Sequence, residues 1–406
     1  MTSKDRSFLP DAGLEYALEL LRNVPAAAAG LPQDLPQQGI GEIASLDLLS
    51  GHVLGEATQL GSSVALAHMD PPTPWITWAM SLWNASLNQN LLHESSSPFA
   101  TQAETTVIRW LAPYFGMGGG HFCAGSTIAN LTGIWAARDA AGIRKVVASE
   151  VAHLSVAKAC RLLGLELIEV PVDGRGRLDV NAVPDLNDAC LVLTAGTTAT
   201  GSIDPLELAG TARWTHVDAA WAGPLRLSGR YAHLLDGIER ADSVAVSAHK
   251  WFFQPKDSAI VMFRELEAAN AAIGFGSGYL AKPNIGVQSS RSAAAIPLLA
   301  TLLAWGQEGV VSRLDHLMEV AQRLAIAITA SPHLELWGEP ETAVTVFRPT
   351  GCSIEEFLAR TPTGMLSSAV VGEQLWVRSV AANPMVDIDA AIADILTAAE
   401  LGQRIE

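Results

Sequence analysis

Between Phe122 and Met262 short apolar runs recur, KVVAS, LELIEVPV, CLVLTAG, HVDAA, SVAVSA and SAIVMF, and between them apolar residues fall at helical spacing. Apolar runs of this length, bounded by turn residues, read as strands buried on both faces. Their alternation with helices predicts an α/β architecture, a mostly parallel sheet wrapped by helices. Toward the N-terminus a helical pattern from Leu14 to Leu21 gives way to a Pro- and Gly-punctuated stretch (Pro25, Pro32, Pro36, Gly39, Gly41) running to about residue 60. Such punctuation predicts an arm rather than a domain. Helical spacing returns from Trp78 to Ala112.

Beyond the apolar runs the pattern changes. Ser292 to Gly306 and Val310 to Thr329 read as helices, LELWGE, TAVTVFRP and WVRSVA as strands, and IEEFLART and DIDAAIADILTAAEL as helices. That mixture predicts a smaller α+β domain. The expected division is an N-terminal arm (1–65), a large domain (66–307) and a small C-terminal domain (308–406).

Composition narrows the class. With 49% hydrophobic and 17% charged residues the chain is not a disordered one. Mean hydropathy is positive, +0.24, yet the longest apolar run, Ala293 to Trp305, has 13 residues. A spanning helix needs roughly 18 to 20, so that run reads as a buried helix and no membrane association is expected. A net charge of −16 disfavours nucleic acid and anionic membrane surfaces as partners. Cys123, Cys160, Cys190 and Cys352 share no CxxC spacing, and MTSKDRSFLPDAG has no apolar leader core. A reduced, cytoplasmic protein is the expectation.

Several chemistries lack their motifs. His93-Glu94 does not open an HExxH, and no metal site is expected. The GMGGGH stretch (Gly116 to His121) lacks GxGxxG spacing, and the residues after it read as holding no strand. Neither a GxxxxGK[ST] loop nor a GxSxG elbow occurs.

SAHKW (Ser247 to Trp251) stands at the end of an apolar run. A desolvated lysine there has the lowered pKa that Schiff-base chemistry needs. HVDAAWAG puts Asp218 at another strand end, where a carboxylate either caps a turn or holds a proton on a pyridine nitrogen. CAGSTIAN opens a helix with Ser126 and Thr127, an ordinary N-cap or a phosphate site. His153 precedes a helix, where it can cap or stack on a ring, and Thr197 and Thr198 follow a further strand. Phosphate donors, a stacking ring, a hydroxyl, an acid and a lysine together answer the functional groups of pyridoxal 5′-phosphate.

These residues and the segments AHMDPPTPWITW, NQNLLHESSSPFATQAE, GSTIAN, AHLSVAKA, GTTATGSIDP, VDAAWAG, SAHKW and WVRSVAANP resemble the pyridoxal-phosphate-dependent group II amino-acid decarboxylases. Those are the glutamate, aromatic and related decarboxylases of the aspartate-aminotransferase (type I) fold, and the resemblance runs from about residue 65 to 400. It implies a mostly parallel seven-stranded sheet, a homodimer with interface active sites, and decarboxylation of an L-amino acid to its amine through an external aldimine and a quinonoid.

The same resemblance implies site residues. Lys250 is the Schiff-base lysine, Asp218 the pyridinium partner and His153 the ring-stacking residue. Gly125 belongs to the cofactor site, Ser126, Thr127, Ser247 and His249 contact phosphate, Ala220 backs the ring and Thr197 lies near its oxygen. Tyr279, with His153, protonates the carbanion. Arg378 pairs with a substrate carboxylate, Trp75 and Asn90 line the substrate pocket, and Ser290 of the SSR triplet reaches the partner subunit's phosphate. The crowding of Trp75, Trp78 and Trp83 points to an apolar or aromatic substrate, while an Arg378 engaged by a side-chain carboxylate points to an acidic one. Only LAKPNIGVQ separates Tyr279 from SSR, a shorter loop than the decarboxylases usually carry. Transamination, aldehyde synthesis and carbon–carbon lyase chemistry stay open as alternatives.

Overall fold

The computed structural model describes residues 13–27, 30–278 and 280–402. The chain forms two compact units, Met1–Gln59 and Leu60–Glu406. In the first, α1 (Gly13–Arg22) and α2 (Glu42–Gly55) are joined by the Tyr16 hydroxyl, which donates to Asp47 Oδ1 at 2.5 Å. The punctuated stretch thus hides a second helix, and Gly41 with φ 86° is its N-cap rather than part of a continuing arm.

The second unit opens with two helices, α3 (Trp75–Leu87) and α4 (Pro98–Leu111), where helical spacing runs without a break from Trp78 to Ala112 in the sequence. Asn88 in the left-handed region ends α3, and Pro98 suits the first turn of α4 because it lacks the N–H that would go unpaired there. A strand follows, β1 (Gly119–Cys123), within and just after the Gly-rich stretch. The expectation of no strand there was wrong. Glycine at 120 is what permits it, since a Cβ would lie 2.1 Å from the Val261 carbonyl of a neighbouring strand.

Helix and strand alternate through α5 (Ser126–Ala141), β2 (Lys145–Ser149), α6 (Leu154–Leu163) and β3 (Glu166–Val170), and then β4 (Ala189–Thr194), β5 (Trp214–Asp218), β6 (Ser243–Ser247) and β7 (Ala259–Phe263) follow with nothing longer than short 3₁₀ turns between them before α7 (Leu266–Ile273). The seven strands form one sheet in the order β1-β7-β6-β5-β4-β2-β3. Strands β6 through β3 pair in parallel, and β7 runs antiparallel to both of its neighbours. Successive strand residues face opposite sides, so Val147, Leu191, Val244 and Met262 enter one apolar cluster while Val146, Val192, Ala245 and Val261 enter another. Burial on both faces is the reason these strands are continuous apolar runs.

A short pair, β8 (Gly274–Phe275) with β9 (Asn284–Ile285), flanks the segment that contains position 279. Then comes α8 (Ala295–Ala330), interrupted at Gly306, whose φ 62° and ψ −176° are not helical. By length and composition α8 could cross a bilayer, unlike the shorter apolar run read within it. Leu298, Leu314, Leu317 and Leu324 are nevertheless buried in the main core. The remainder is β10 (Leu334–Leu336), β11 (Val344–Pro349), α9 (Ile354–Ala359), β12 (Ser367–Val371), β13 (Gln374–Val380) and α10 (Ile388–Gly402), with an antiparallel sheet ordered β10-β11-β13-β12.

Candidate active site

The carboxyl ends of β1, β2, β4, β5 and β6 bring their following residues to one cavity of about 300 Å³. After β1, Gly125 adopts φ 89° and opens α5 without any side-chain cap. The Ser126 and Thr127 N–H groups at the start of that helix precede the first intrahelical bonds, which Ile128 and Ala129 make to the Gly125 carbonyl, and are suited to an anionic acceptor; Ser126 and Thr127 are in the lining. After β2, His153 caps α6, its Nδ1 accepting the Ser155 N–H at 3.2 Å, and the same imidazole lines the cavity. Capping and ring contact are thus compatible at one histidine.

Asp218 ends β5. Its Oδ1 accepts the Ala220 N–H at 3.1 Å and its Oδ2 accepts the Asn130 side-chain amide at 2.7 Å. Lys250 and His249 follow β6, and Lys250 Nζ meets the Met69 thioether at 4.0 Å. Burial holds the Lys250 ammonium below the ordinary lysine range; Asp218 and Asp70 oppose that shift, and Lys256 and Arg378 add to it. Burial also lowers His153, and it lowers His249 to about 4.

Among the described residues, Ser247 Oγ, His249 Nδ1 and Thr194 Oγ1 are buried without a hydrogen-bond partner. Buried polar atoms without partners are uncommon in native proteins and point to a missing group. An uncapped helix N-terminus beside His249, an amine held toward its neutral form and a carboxylate in the same cavity suit a phosphate, an aldehyde and a ring nitrogen. The residues present fit pyridoxal 5′-phosphate.

Gly125, Ser126, Thr127, His153, Asp218, Ala220, His249 and Lys250 line this one cavity. Ser247 lies buried at the end of β6, beside it in sequence but outside the lining. Thr197 is not in the lining; its hydroxyl meets Thr200 Oγ1 at 2.8 Å and accepts the Ser202 N–H, and Thr194, Gly196 and Thr198 take the wall instead. Arg378 reaches the wall from β13 by donating to the Thr198 carbonyl. Asn90 and Ser290 are brought together, Asn90 Nδ2 donating to Ser290 Oγ at 3.1 Å, but neither enters the cavity of its own chain. Trp75 is 70% exposed on α3 and also stands outside the lining. Tyr279 lies outside the described residues.

Sequence reasoning missed Asn130, His216 and Ser155, which join Asp218 and His153 beneath the cavity. One signal was available: His216 and Asp218 are two apart on a strand and so share a face.

The pyridoxal-dependent decarboxylase conserved domain matches residues 65–350. The chain is 29% identical to an L-2,4-diaminobutyrate decarboxylase of Acinetobacter baumannii, across 90% of this chain and 85% of that protein. It is 31% identical to an L-2,4-diaminobutyrate decarboxylase of Rhizobium meliloti, across 77% and 70%. The crystal structure of Oryza sativa TDC with PLP and tryptamine superposes with a TM-score of 0.84 at 20% identity, covering 99% of each chain, a likeness of fold. The chain belongs to the pyridoxal-dependent decarboxylase family, carboxy-lyases of the type I fold whose cofactor is pyridoxal 5′-phosphate.

Proposed function

We propose that this enzyme removes the α-carboxyl group of an L-amino acid and releases the corresponding amine, with Lys250, Asp218 and His153 working at the cofactor. The observation that carries the reading is the Lys250 amine, held below the ordinary lysine range by burial in the same cavity as the Asp218 carboxylate. Bound pyridoxal 5′-phosphate supplies an aldehyde for condensation with an amine and a ring that stores the electron pair left when carbon dioxide departs.

The chain's own residues divide the remaining work. The α5 N-terminus, with Ser126, Thr127, Ser247 and His249, holds the phosphate. Asp218 would keep a proton on the ring nitrogen, and the two hydrogen bonds it accepts, from the Asn130 amide and the Ala220 N–H, hold the carboxylate in one orientation. Burial keeps His153 neutral near pH 7, so it can lie against a ring without adding charge. Lys250 Nζ, neutral in a larger fraction than an exposed lysine, would supply the amine that holds the cofactor aldehyde and would carry protons once a substrate amine takes its place. Tyr279 is the proposed proton donor to the substrate α-carbon. Arg378 is the proposed carboxylate partner; its bonds to Ser367, Thr198 and Ala67 use three of five N–H groups, leaving two for substrate.

A homodimer is part of the reading. Trp75, Trp78 and Trp83 stand 70%, 50% and 60% exposed along α3, an apolar face that a second copy would cover. In that assembly the Asn90–Ser290 pair would serve the neighbouring cavity. The four cysteines are free, in keeping with a cytoplasmic setting.

The two diaminobutyrate decarboxylase relatives make L-2,4-diaminobutyrate the first substrate to assay, beside the twenty common amino acids. Carbon dioxide and amine in equal amounts are expected. Keto acid without carbon dioxide identifies a transaminase, and carbon dioxide with aldehyde an aldehyde synthase; either result overturns the proposal.

A further inference from the structure

Beneath the cavity a chain of buried side chains runs from Trp214 to His153, and every hydrogen bond in it has only one workable direction. The Trp214 indole N–H can only donate, and it does so to Ser243 Oγ at 2.9 Å. Ser243 Oγ, which keeps a second lone pair as well as its proton, meets His216 Nδ1 at 2.8 Å. From the other end, the Asn130 NH₂ donates to Asp218 Oδ2 at 2.7 Å and to Ser155 Oγ at 2.9 Å, which turns the Asn130 carbonyl oxygen to His216 Nε2 at 3.0 Å. An acceptor there puts the His216 proton on Nε2, so Nδ1 takes the Ser243 hydroxyl proton. The Ser155 hydroxyl in turn donates to His153 Nδ1 at 2.8 Å, alongside the Ser155 backbone N–H. The carboxylate is what fixes that amide orientation, since a flipped Asn130 would set its carbonyl against the Asp218 oxygen.

Packing holds the chain closed to water. Ser243, His216 and Asn130 are fully buried. Gly133, one helical turn past Asn130 on α5, gives His216 its room: a Cβ there would lie 2.5 Å from the imidazole. Burial lowers His216 to about 4, so it stays neutral and keeps one donor and one acceptor.

From this geometry we infer that Asn130 is a positioning residue that couples the two groups set against the cofactor ring, fixing the orientation of the Asp218 carboxylate and holding His153 as the Nε2–H tautomer. The inference deepens the proposed function and rests on its assignment of Asp218 and His153. Asn130 stands outside the cavity lining and acts through both residues at once.

Two measurements test it. In ligand-free wild-type protein, imidazole nitrogen NMR should find both His216 and His153 protonated at Nε2, and a proton on Nδ1 of either overturns the inference. This needs no variant and stands even where a substitution prevents folding. The second is cofactor affinity in Asn130→Leu, Asp218→Ala and the double variant, each checked for a native fold. Losing a buried hydrogen bond to a carboxylate should weaken cofactor binding by about tenfold or more in Asn130→Leu. In the Asp218→Ala background the same substitution should cost less than about twofold, because coupled residues are non-additive. Equal losses in both backgrounds mean a merely structural asparagine and overturn the inference alone. An Asp218→Ala protein that binds as tightly as wild type overturns the assignment of Asp218, and the coupling with it.

Discussion

Arg378 Nη1 donates to the Thr198 carbonyl at 2.8 Å and so ties β13 to the wall of the cavity. Nη2 reaches the Ala67 carbonyl at 3.2 Å and Nε the Ser367 hydroxyl at 3.2 Å, so one guanidinium braces three segments. A lysine is a point charge on a flexible stem and cannot span three acceptors in a plane. Arg378→Lys should keep the fold, raise KM for the amino acid about tenfold or more and change kcat little, the pattern of lost uniform binding. Steady-state kinetics check this, and an unchanged KM would remove Arg378 from substrate binding.

Lys250 should set a pH signature in ligand-free protein. Its folded pKa lies below its ordinary value of 10.5, with burial the largest cause. Between the folded value and 10.5 the unfolded chain binds the extra proton, so this group's contribution to stability rises with pH. Lys250→Met, which cannot protonate, should therefore melt higher than wild type near pH 7.5, and its advantage should shrink as pH climbs toward 10. Thermal denaturation of both proteins across that range makes the comparison; an advantage that grows with pH would contradict it.

Where site chemistry is local, the sequence alone was legible. Asp218 and Lys250 lie at the ends of apolar runs, and a parallel sheet gathers strand ends at one edge whatever the loops do. Thr197 and Thr198 could not be told apart, because the turn that consumes the Thr197 hydroxyl depends on Thr200 and Ser202 folding back on it. Asn130 was invisible for a related reason: its partners Ser155, His216 and Asp218 lie far along the chain, and one polar residue on a helix ordinarily faces solvent. Trp75 is exposed on α3 and outside the cavity lining, a placement that apolar character alone does not predict.

β1 was missed because two glycines and a histidine carry little strand propensity, and a stability measurement should register what takes the place of that propensity. A Cβ at Gly120 would lie 2.1 Å from the Val261 carbonyl oxygen and 2.8 Å from Met262 Cα, both backbone atoms that cannot swing aside. Gly120→Ala should force β1 away from β7 and cost roughly 3 kcal/mol, at the upper end for overpacking. Chemical denaturation checks this, and a loss under about 1 kcal/mol would mean the strand pair moves more easily than its register suggests.

His121, on the same strand, should contribute to acid sensitivity. It is buried against Phe263 with ring centroids 6.4 Å apart, and burial, aided by Arg291, lowers its pKa to about 3. From its ordinary 6.5 down to that value the native state keeps the ring neutral while the unfolded state binds a proton. Stability therefore falls as pH falls across this window, by up to about 1.4 kcal/mol per pH unit from this one group. His121→Phe keeps a stacking ring and cannot titrate. Its stability relative to wild type should therefore improve between pH 6.5 and pH 4.5, whatever packing cost it carries at pH 7.5. Parallel denaturation curves at pH 7.5 and 5.0 would show the two proteins converging, or the variant overtaking. A difference independent of pH would mean that His121 takes up its proton without unfolding.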